Sequence, residues 1–371
     1  MTVTTPKVSV LLPTWNAEMF LREAIDSIMA QTFKNFEIMI VDDGSTDGTR
    51  DIIASYADPR IVLLDGPRTG GLHAALNFGL QEARGEFVAR MDADDLSMPT
   101  RFAEQVSFMD ANSDISVLGA WSENFGTYVG RDCPPPTPAA VKVSLIFSYT
   151  MVHTSIMMRQ RDLIKRGLFY SKDVVQEDYA LWCDAVAQGI QLANIPKILA
   201  RHRTSEWQRT GTHAPDALPK SEMNIRQKYL QSAFGITVDD KDKDLLYKMR
   251  WWDESTDRVS YLARLDSLFE KIEEEIIRQK LASPQAIRKV MQIRYMQWLD
   301  GYTFEKSFPS KYVGIRHKLF SYVKSSATIS RSGKNTIVKW PGITLLKRTI
   351  TRKWVTFYLF GFIPIWLKKN G

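Results

Sequence analysis

The chain has 371 residues, 44% of them hydrophobic and 25% charged, which excludes wholesale disorder and gives room for two folded units rather than one. The net charge of +7 is unevenly placed: no acidic residue follows Glu305, whereas 14 Lys and Arg lie between Lys306 and Lys369, leaving 35 basic against 42 acidic side chains before them. A basic tail on a mildly acidic body points to an anionic partner, membrane or nucleic acid.

Cys133 and Cys183 lie far apart with no metal-ligand spacing, which suits a reducing compartment. The N-terminal MTVTTPKVSVLLPTW has no basic region ahead of a long apolar run, so no signal peptide is expected. No window reaches the roughly 18 uninterrupted apolar residues of a spanning helix.

In chain order, KVSVLLPT reads as a strand, and Phe20, Leu21, Ala24, Ile25 and Ile28 then show helical spacing. FEIMIVDD is a second strand, followed by the helical TDGTRDIIASYA. RIVLLD is a third, followed by GLHAALNFGLQEA, and EFVARMD is a fourth. Such apolar strands alternating with helices predict a doubly wound, mostly parallel α/β sheet whose ligands sit beyond the strands' carboxyl ends. Polar clusters follow three of these ends: Pro13-Thr14-Trp15-Asn16, Asp42-Asp43-Gly44-Ser45 and Asp92-Ala93-Asp94-Asp95. Together they predict a site on one rim.

From about Pro215 the alternation stops. Val259, Leu262, Leu265, Phe269, Ile272 and Ile276 recur at helical steps, and Ser283-Pro284 opens a second helix to Asp300. The expected organisation is an α/β domain at 1–214, an antiparallel helix pair at 215–305 and a basic tail at 306–371. Trp251, Trp252 and Trp298 read as packing residues of the helical region. In the tail, the aromatic run from Trp354 to Leu367 is fenced by basic pairs and broken by Gly361 and Pro364. It is too short to span a bilayer and suits an anionic membrane surface. Its apolar density weighs against nucleic acid, which aromatic residues interleaved with cations could otherwise stack on.

The three carboxylates in Asp92 to Asp95 repel one another unless a cation sits between them. A hard divalent ion held by one or two carboxylates, phosphate and water meets that need. Trp15 offers a face on which a base can stack, and Asp43 can accept the imide N–H of uracil. Asp47 reads as a helix cap. No Ser-His or Cys-His arrangement calls for a covalent nucleophile. PTWNAEMF lacks the glycine-rich basic loop that a nucleotidyltransferase needs.

VSVLLPTWN, VDDGSTDGT, ALNFGLQEARGEFVARMDADD, MPTRF, HTSIMMRQR and QEDYALW stand in the order found in glycosyltransferase family 2, and over residues 7–205 the chain resembles that family. The resemblance implies a GT-A fold and inverting transfer from a nucleotide sugar, most simply a UDP-sugar. It implies that Pro13, Thr14, Trp15, Asn16 and Asp43 hold the nucleotide. Asp94 is then the direct ligand of Mn²⁺ or Mg²⁺, and Asp92 holds the ribose or a metal-bound water. Asp95 supports the loop, and Asn77 and Gly79 are structural. Asp178 is the base that deprotonates the acceptor, and Glu177 contacts the acceptor or orients the loop. His153 falls on the loop between donor and acceptor, and Arg101 is read as a phosphate or loop anchor.

Two departures matter. Many members carry Tyr-Arg-x-His after the last strand, whereas in LARHRTSEWQRTG Ser205 takes the histidine position and His202 lies three residues earlier. The resemblance therefore does not supply a histidine ligand. The Gln-x-x-Arg-Trp motif of processive synthases is missing, which points to transfer of a single sugar. The implied acceptor is a lipid-linked or oligosaccharide glycan of a bacterial surface polymer. The implied location is the cytoplasmic face of the inner membrane.

Overall fold

The computed structural model describes residues 5–68, 71–205, 217–239, 242–243, 245–246 and 258–278, with five strands between 328 and 368. The chain divides into two compact units, Met1–Ile287 and Arg288–Gly371.

The first unit begins with β1 (Val8–Thr14), α1 (Leu21–Met29), β2 (Phe36–Asp42), α2 (Thr49–Ala54), β3 (Ile61–Asp65), α3 (Leu72–Glu82) and β4 (Phe87–Arg90). These are the four predicted strands and three predicted helices. β1 pairs in parallel with β2 (Val10 opposite Ile38) and with β4 (Val10 opposite Ala89), and β2 pairs in parallel with β3. Every residue of β1, β2 and β4 is buried, as continuous apolar runs require when helices cover both sheet faces. Because the three strands are parallel, the chain leaves them at one edge. Trp15, Asp43 and Asp92 are thereby brought to a common rim.

The sheet continues with β5 (Leu96–Ser97), α4 (Arg101–Ala111), β6 (Ile115–Gly126), β7 (Gly130–Asp132), α5 (Pro138–Ser144), a 3₁₀ turn at His153–Ser155, β8 (Met157–Met158), α6 (Gln160–Ile164), α7 (Glu177–Ala187) and β9 (Gln191–Thr204). Its order is β3-β2-β1-β4-β8-β6-β9-β5, with β7 paired to β6. The β8 insertion is antiparallel to both its neighbours, while β6 and β9 are parallel. The sheet is therefore mixed at this end, a feature that two-residue strands give no periodicity to announce.

Gly79 shows how closely α3 lies on the sheet. A Cβ at this position would come within 2.2 Å of Leu11 Cδ1 and 3.2 Å of Val41 Cγ2. Leu11 and Val41 are fully buried and cannot withdraw freely. Gly79→Val is therefore expected to cost about 1–3 kcal/mol through overpacking, read as a lower midpoint in urea at unchanged m-value. An unchanged midpoint would show that α3 can lift off the sheet at no cost.

Helix α8 (Ala217–Phe234) follows within the first unit, where Arg226 is buried. Its guanidinium donates to the carbonyls of Leu246 (2.7 Å) and Phe147 and pairs with Glu222 one turn away. Helix α9 (Arg258–Arg278) buries Leu268, Phe269, Ile272 and Ile276, and Phe269 packs edge-on against Phe147 at 5.2 Å. The predicted partner helix at 283–300, with Trp298, lies outside the described residues, as do Trp251 and Trp252.

In the second unit the tail forms an antiparallel meander: β10 (Thr328–Ser332), β11 (Asn335–Trp340), β12 (Ile343–Ile350), β13 (Trp354–Leu359) and β14 (Ile363–Lys368). The aromatic run expected to lie along a membrane as an amphipathic segment is thus two paired strands. Val355 stands opposite Leu367, Phe357 opposite Ile365 and Leu359 opposite Ile363. The physical reason is composition: β-branched and aromatic residues dominate WVTFYL and IPIWL. Among the described residues no helix is long and apolar enough to cross a membrane.

Candidate active site

A cleft of about 900 Å³ opens at the carboxyl ends of β1 and β4. This volume suits a nucleotide sugar. Pro13, Trp15, Asn16, Asp92, Asp94, His153, Glu177 and Asp178 all line it. The loop after β1 turns at Asn16, whose φ of 48° lies in the left-handed region that Asn tolerates. Asn16 Oδ1 accepts the Thr46 N–H at 2.8 Å, and the Asn16 N–H donates to Ser45 Oγ at 2.9 Å. This lock between the loops after β1 and β2 leaves Trp15 68% exposed at the cleft wall. A large aromatic surface so open to water has no packing role.

Thr14 is buried and donates to the Val41 carbonyl, so it shapes the loop from behind. Asp43 does not line the cleft but sits beside it. Its N–H donates to the Thr14 carbonyl at 2.9 Å, and its Oδ1 accepts the Arg68 N–H at 2.7 Å.

The carboxylates after β4 have three different environments. Both oxygens of Asp92 pair with the Nη atoms of Arg90. Asp95 is fully buried and accepts the Arg203 N–H at 2.7 Å, with His202 Nδ1 at 3.1 Å. It ties the loop to β9, the supporting role expected of it. Among the described residues no cation is hydrogen-bonded to the Asp94 side chain in this way. Burial, with the charges of Asp92 and Asp95, pushes its carboxyl up to about 7. Burial works against charge on His202, but the hydrogen bond and charge of Asp95 outweigh it and raise the imidazole to about 9.

α7 also starts at the cleft, at Glu177, placing two carboxylates in its first turn, where the helix dipole favours negative charge. Asp178 Oδ1 accepts the N–H of Tyr179 at 2.7 Å. Burial and the neighbouring Glu177 nevertheless push Asp178 up to about 6. His153 Nε2 lies 3.0 Å from the Tyr170 hydroxyl. Burial and the charge of Arg90 hold this imidazole well below its ordinary value, so it is neutral. Tyr170 is itself pinned by reciprocal bonds to Asn77, from Asn77 Nδ2 to its carbonyl (2.8 Å) and from its N–H to Asn77 Oδ1 (2.9 Å).

For Arg101 the expectation is a phosphate or loop anchor. It is fully buried and donates to the carbonyls of Arg90 (2.8 Å) and Ile156 (3.0 Å) and to Gln105 Oε1 (3.0 Å). These bonds are those of a loop anchor, and Arg101 is not among the residues that line the cleft.

Comparison with known proteins decides the family. The profile described as Glycosyl transferase family 2 matches residues 9–167. A putative glycosyltransferase, EpsE, of Bacillus subtilis is 34% identical over 207 residues, 53% of this chain and 73% of that protein. The chain belongs to glycosyltransferase family 2. Another family relative, from Escherichia coli, is named UDP-Glc:alpha-D-GlcNAc-diphosphoundecaprenol beta-1,3-glucosyltransferase WfaP; it is 30% identical over half of this chain and 73% of its own length. The crystal structure of S. aureus TarS in complex with UDP-GlcNAc superposes with a TM-score of 0.51 at 17% identity, covering 90% of this chain and 97% of that one. That likeness shows the shared GT-A fold.

Within the family frame, Asp94 fits a divalent cation: a desolvated carboxylate beside two others, lining the cleft, its charge offset only in part by His202 and by no cation hydrogen-bonded to it among the described residues. Among the described residues no three His, Cys, Asp or Glu side chains form a ready-made metal cage. The fit is therefore to an ion that takes one protein carboxylate and completes its shell with phosphate and water. Arg90, which lines the cleft, and Tyr170, which holds His153, are among the residues that the sequence does not single out. Arg90 reads as part of an apolar strand, and only the strand's end at the rim distinguishes it from a surface arginine. Tyr170 lies in a loop with no motif.

Proposed function

We propose that this family 2 enzyme is an inverting, metal-assisted glycosyltransferase. It moves one sugar from a nucleotide diphosphate sugar, most simply a UDP-sugar, to a hydroxyl of a lipid-linked or oligosaccharide acceptor in bacterial surface-glycan synthesis. The observation that carries this reading is that Trp15, Asp94 and Asp178, the last pushed up to about 6, line one cleft. The names of Escherichia coli relatives, which specify UDP-sugar donors and diphosphoundecaprenol-linked acceptors, support the choice of donor and acceptor class.

In this reading Trp15 stacks on the base and Asp43 accepts its imide N–H. Asp92 accepts hydrogen bonds from donor hydroxyls, and Asp94 holds Mn²⁺ or Mg²⁺. The ion, when bound, offsets the charge of the diphosphate leaving group. Asp178 takes the proton from the acceptor hydroxyl as its oxygen bonds to the anomeric carbon. The bond from that carbon to the phosphate oxygen breaks on the opposite face, so configuration inverts. Glu177 orients the acceptor, and neutral His153 borders both subsites. The basic tail, with 14 cations and no acid, would hold the enzyme at an anionic membrane on its cytoplasmic face. Co-sedimentation with phosphatidylglycerol vesicles tests this, and equal binding to neutral vesicles would count against it.

The first test is thermal unfolding with UDP, GDP and CDP, each with and without Mn²⁺. A ligand at a hundredfold excess over Kd stabilises the folded state by about 2.7 kcal/mol. Trp15→Ala is expected to weaken the stabilising nucleotide by about 1–3 kcal/mol, the worth of an aromatic–base stack, with kcat little changed. If no nucleotide shifts the unfolding at any metal concentration, the donor reading fails.

A further inference from the structure

Arg90 ends β4 at the floor of the cleft and is 1% exposed. Its two Nη atoms meet the two oxygens of Asp92 fork to fork, the strongest geometry available to such a pair. Two residues apart at the end of an extended strand, the side chains project to the same side, so the pairing needs no distortion of the chain. Asp92 remains partly open to the cleft, its side chain 28% exposed. Lone pairs not used by the guanidinium are thus available to a ligand at a fixed position.

The charge of Arg90 extends beyond this pair. It offsets part of the burial that pushes Asp178 up, and it helps keep His153 neutral. Arg90 is therefore a buried cation acting on both the donor carboxylate and the residue proposed as base. Among the described residues Asp94, two residues beyond Asp92, has no guanidinium paired with it in this way.

We propose that Arg90 is a positioning residue that withholds Asp92 from the metal and fixes its carboxylate for the hydroxyl groups of the donor, leaving Asp94 as the carboxylate the cation uses. This rests on the donor and metal reading above. A carboxylate whose two oxygens already face a guanidinium carries little net charge with which to attract a second cation. Its remaining lone pairs still accept hydroxyl hydrogens, and the fork sets their direction. Lys cannot replace Arg here, because an ammonium is a point charge that leaves the carboxylate free to rotate.

The test uses the full chain and two probes, Mn²⁺ alone followed by its electron paramagnetic resonance signal, and UDP in saturating Mn²⁺ followed by calorimetry. In Arg90→Met, Mn²⁺ alone is expected to bind several-fold more tightly, because Asp92 is released to join Asp94. UDP is expected to bind at least about tenfold more weakly, the usual effect of removing a group that orients a ligand-binding side chain. Arg90→Lys should show the same loss for UDP although the charge is kept. A merely structural role would weaken both probes together, and that result overturns the proposal.

Should Arg90→Met not fold, the double variant Arg90→Met/Asp92→Asn leaves neither charge of the pair without its partner and decides the matter. Mn²⁺ affinity within about twofold of the parent supports the assignment, and a loss of tenfold or more makes Asp92 a ligand and overturns it. If the parent protein itself binds no Mn²⁺ with or without UDP, the metal reading fails separately. Arg90 is then judged on UDP alone, a tenfold loss in Arg90→Lys supporting its role and an unchanged affinity overturning it.

Discussion

Asp178→Asn is expected to lower kcat by between about a hundredfold and ten-thousandfold, the range lost when a general base is removed. Donor affinity should change little, because the proposed contacts of the nucleotide and the cation are to Trp15, Asp43, Asp92 and Asp94 and not to Asp178. An ordinary aspartate near pH 4 is a weak base for a hydroxyl. Burial and Glu177 bring Asp178 to about 6, closer to working pH, while leaving it ionised there. The rate in the parent enzyme should therefore rise with pH through an acid limb near 6, and the residual rate of the Asn variant should lack that limb.

Stability should move the other way. With the folded value near 6 and a reference value of 3.8, the folded state holds its proton across a window where the unfolded chain has lost it. Parent stability therefore falls as pH rises from about 4 to 6, and the cost persists above that window. Asn carries no charge, and its Oδ1 can still accept the Tyr179 N–H. The variant is thus expected to equal the parent near pH 4 and exceed it at pH 8. A variant that loses stability at pH 8 together with its activity would indicate a structural residue and not a base.

The parts of this molecule that a sequence shows best are those where one physical demand acts on many consecutive residues. VSVLLPT and FEIMIVD must be apolar throughout because helices cover both faces of the sheet, and they stand out for that reason. Strand polarity then carries Trp15, Asp43 and Asp92 to one edge, so the rim was legible before any contact was known. Single-residue effects were not. Arg90 and Asp92 form a pair whose meaning depends on burial at the cleft floor, and Arg101 looks like any basic residue beside Pro99 until its guanidinium is seen to donate to two carbonyls. The tail's strands were hidden for a related reason: an aromatic run between cations suits a membrane surface and a β-hairpin equally, and only the pairing reveals the hairpin.

Asp94→Asn is expected to abolish Mn²⁺ binding and, with it, metal-dependent stabilisation by nucleotide, while making the metal-free protein more stable. The two effects have one origin. Asp94 lies desolvated between Asp92 and Asp95, and its carboxyl near 7 stands well above the reference value of 3.8. Between about pH 4 and 7 the folded state keeps a proton that the unfolded chain has released, so metal-free parent stability declines across that window. Above pH 7 the whole cost is present, and Asn removes it.

The advantage of the variant in EDTA should thus grow from nothing near pH 4 to about 4 kcal/mol at pH 8, read as a higher midpoint in urea. Saturating Mn²⁺ should reverse the ranking, since the ion stabilises only a protein that can bind it. A variant less stable than the parent at pH 8 in EDTA would mean that Asp94 already has a stabilising partner. The cation would then have no uncompensated charge to relieve. Stability stored as repulsion in the empty cleft is, in this reading, the same free energy that draws the ion and the diphosphate together.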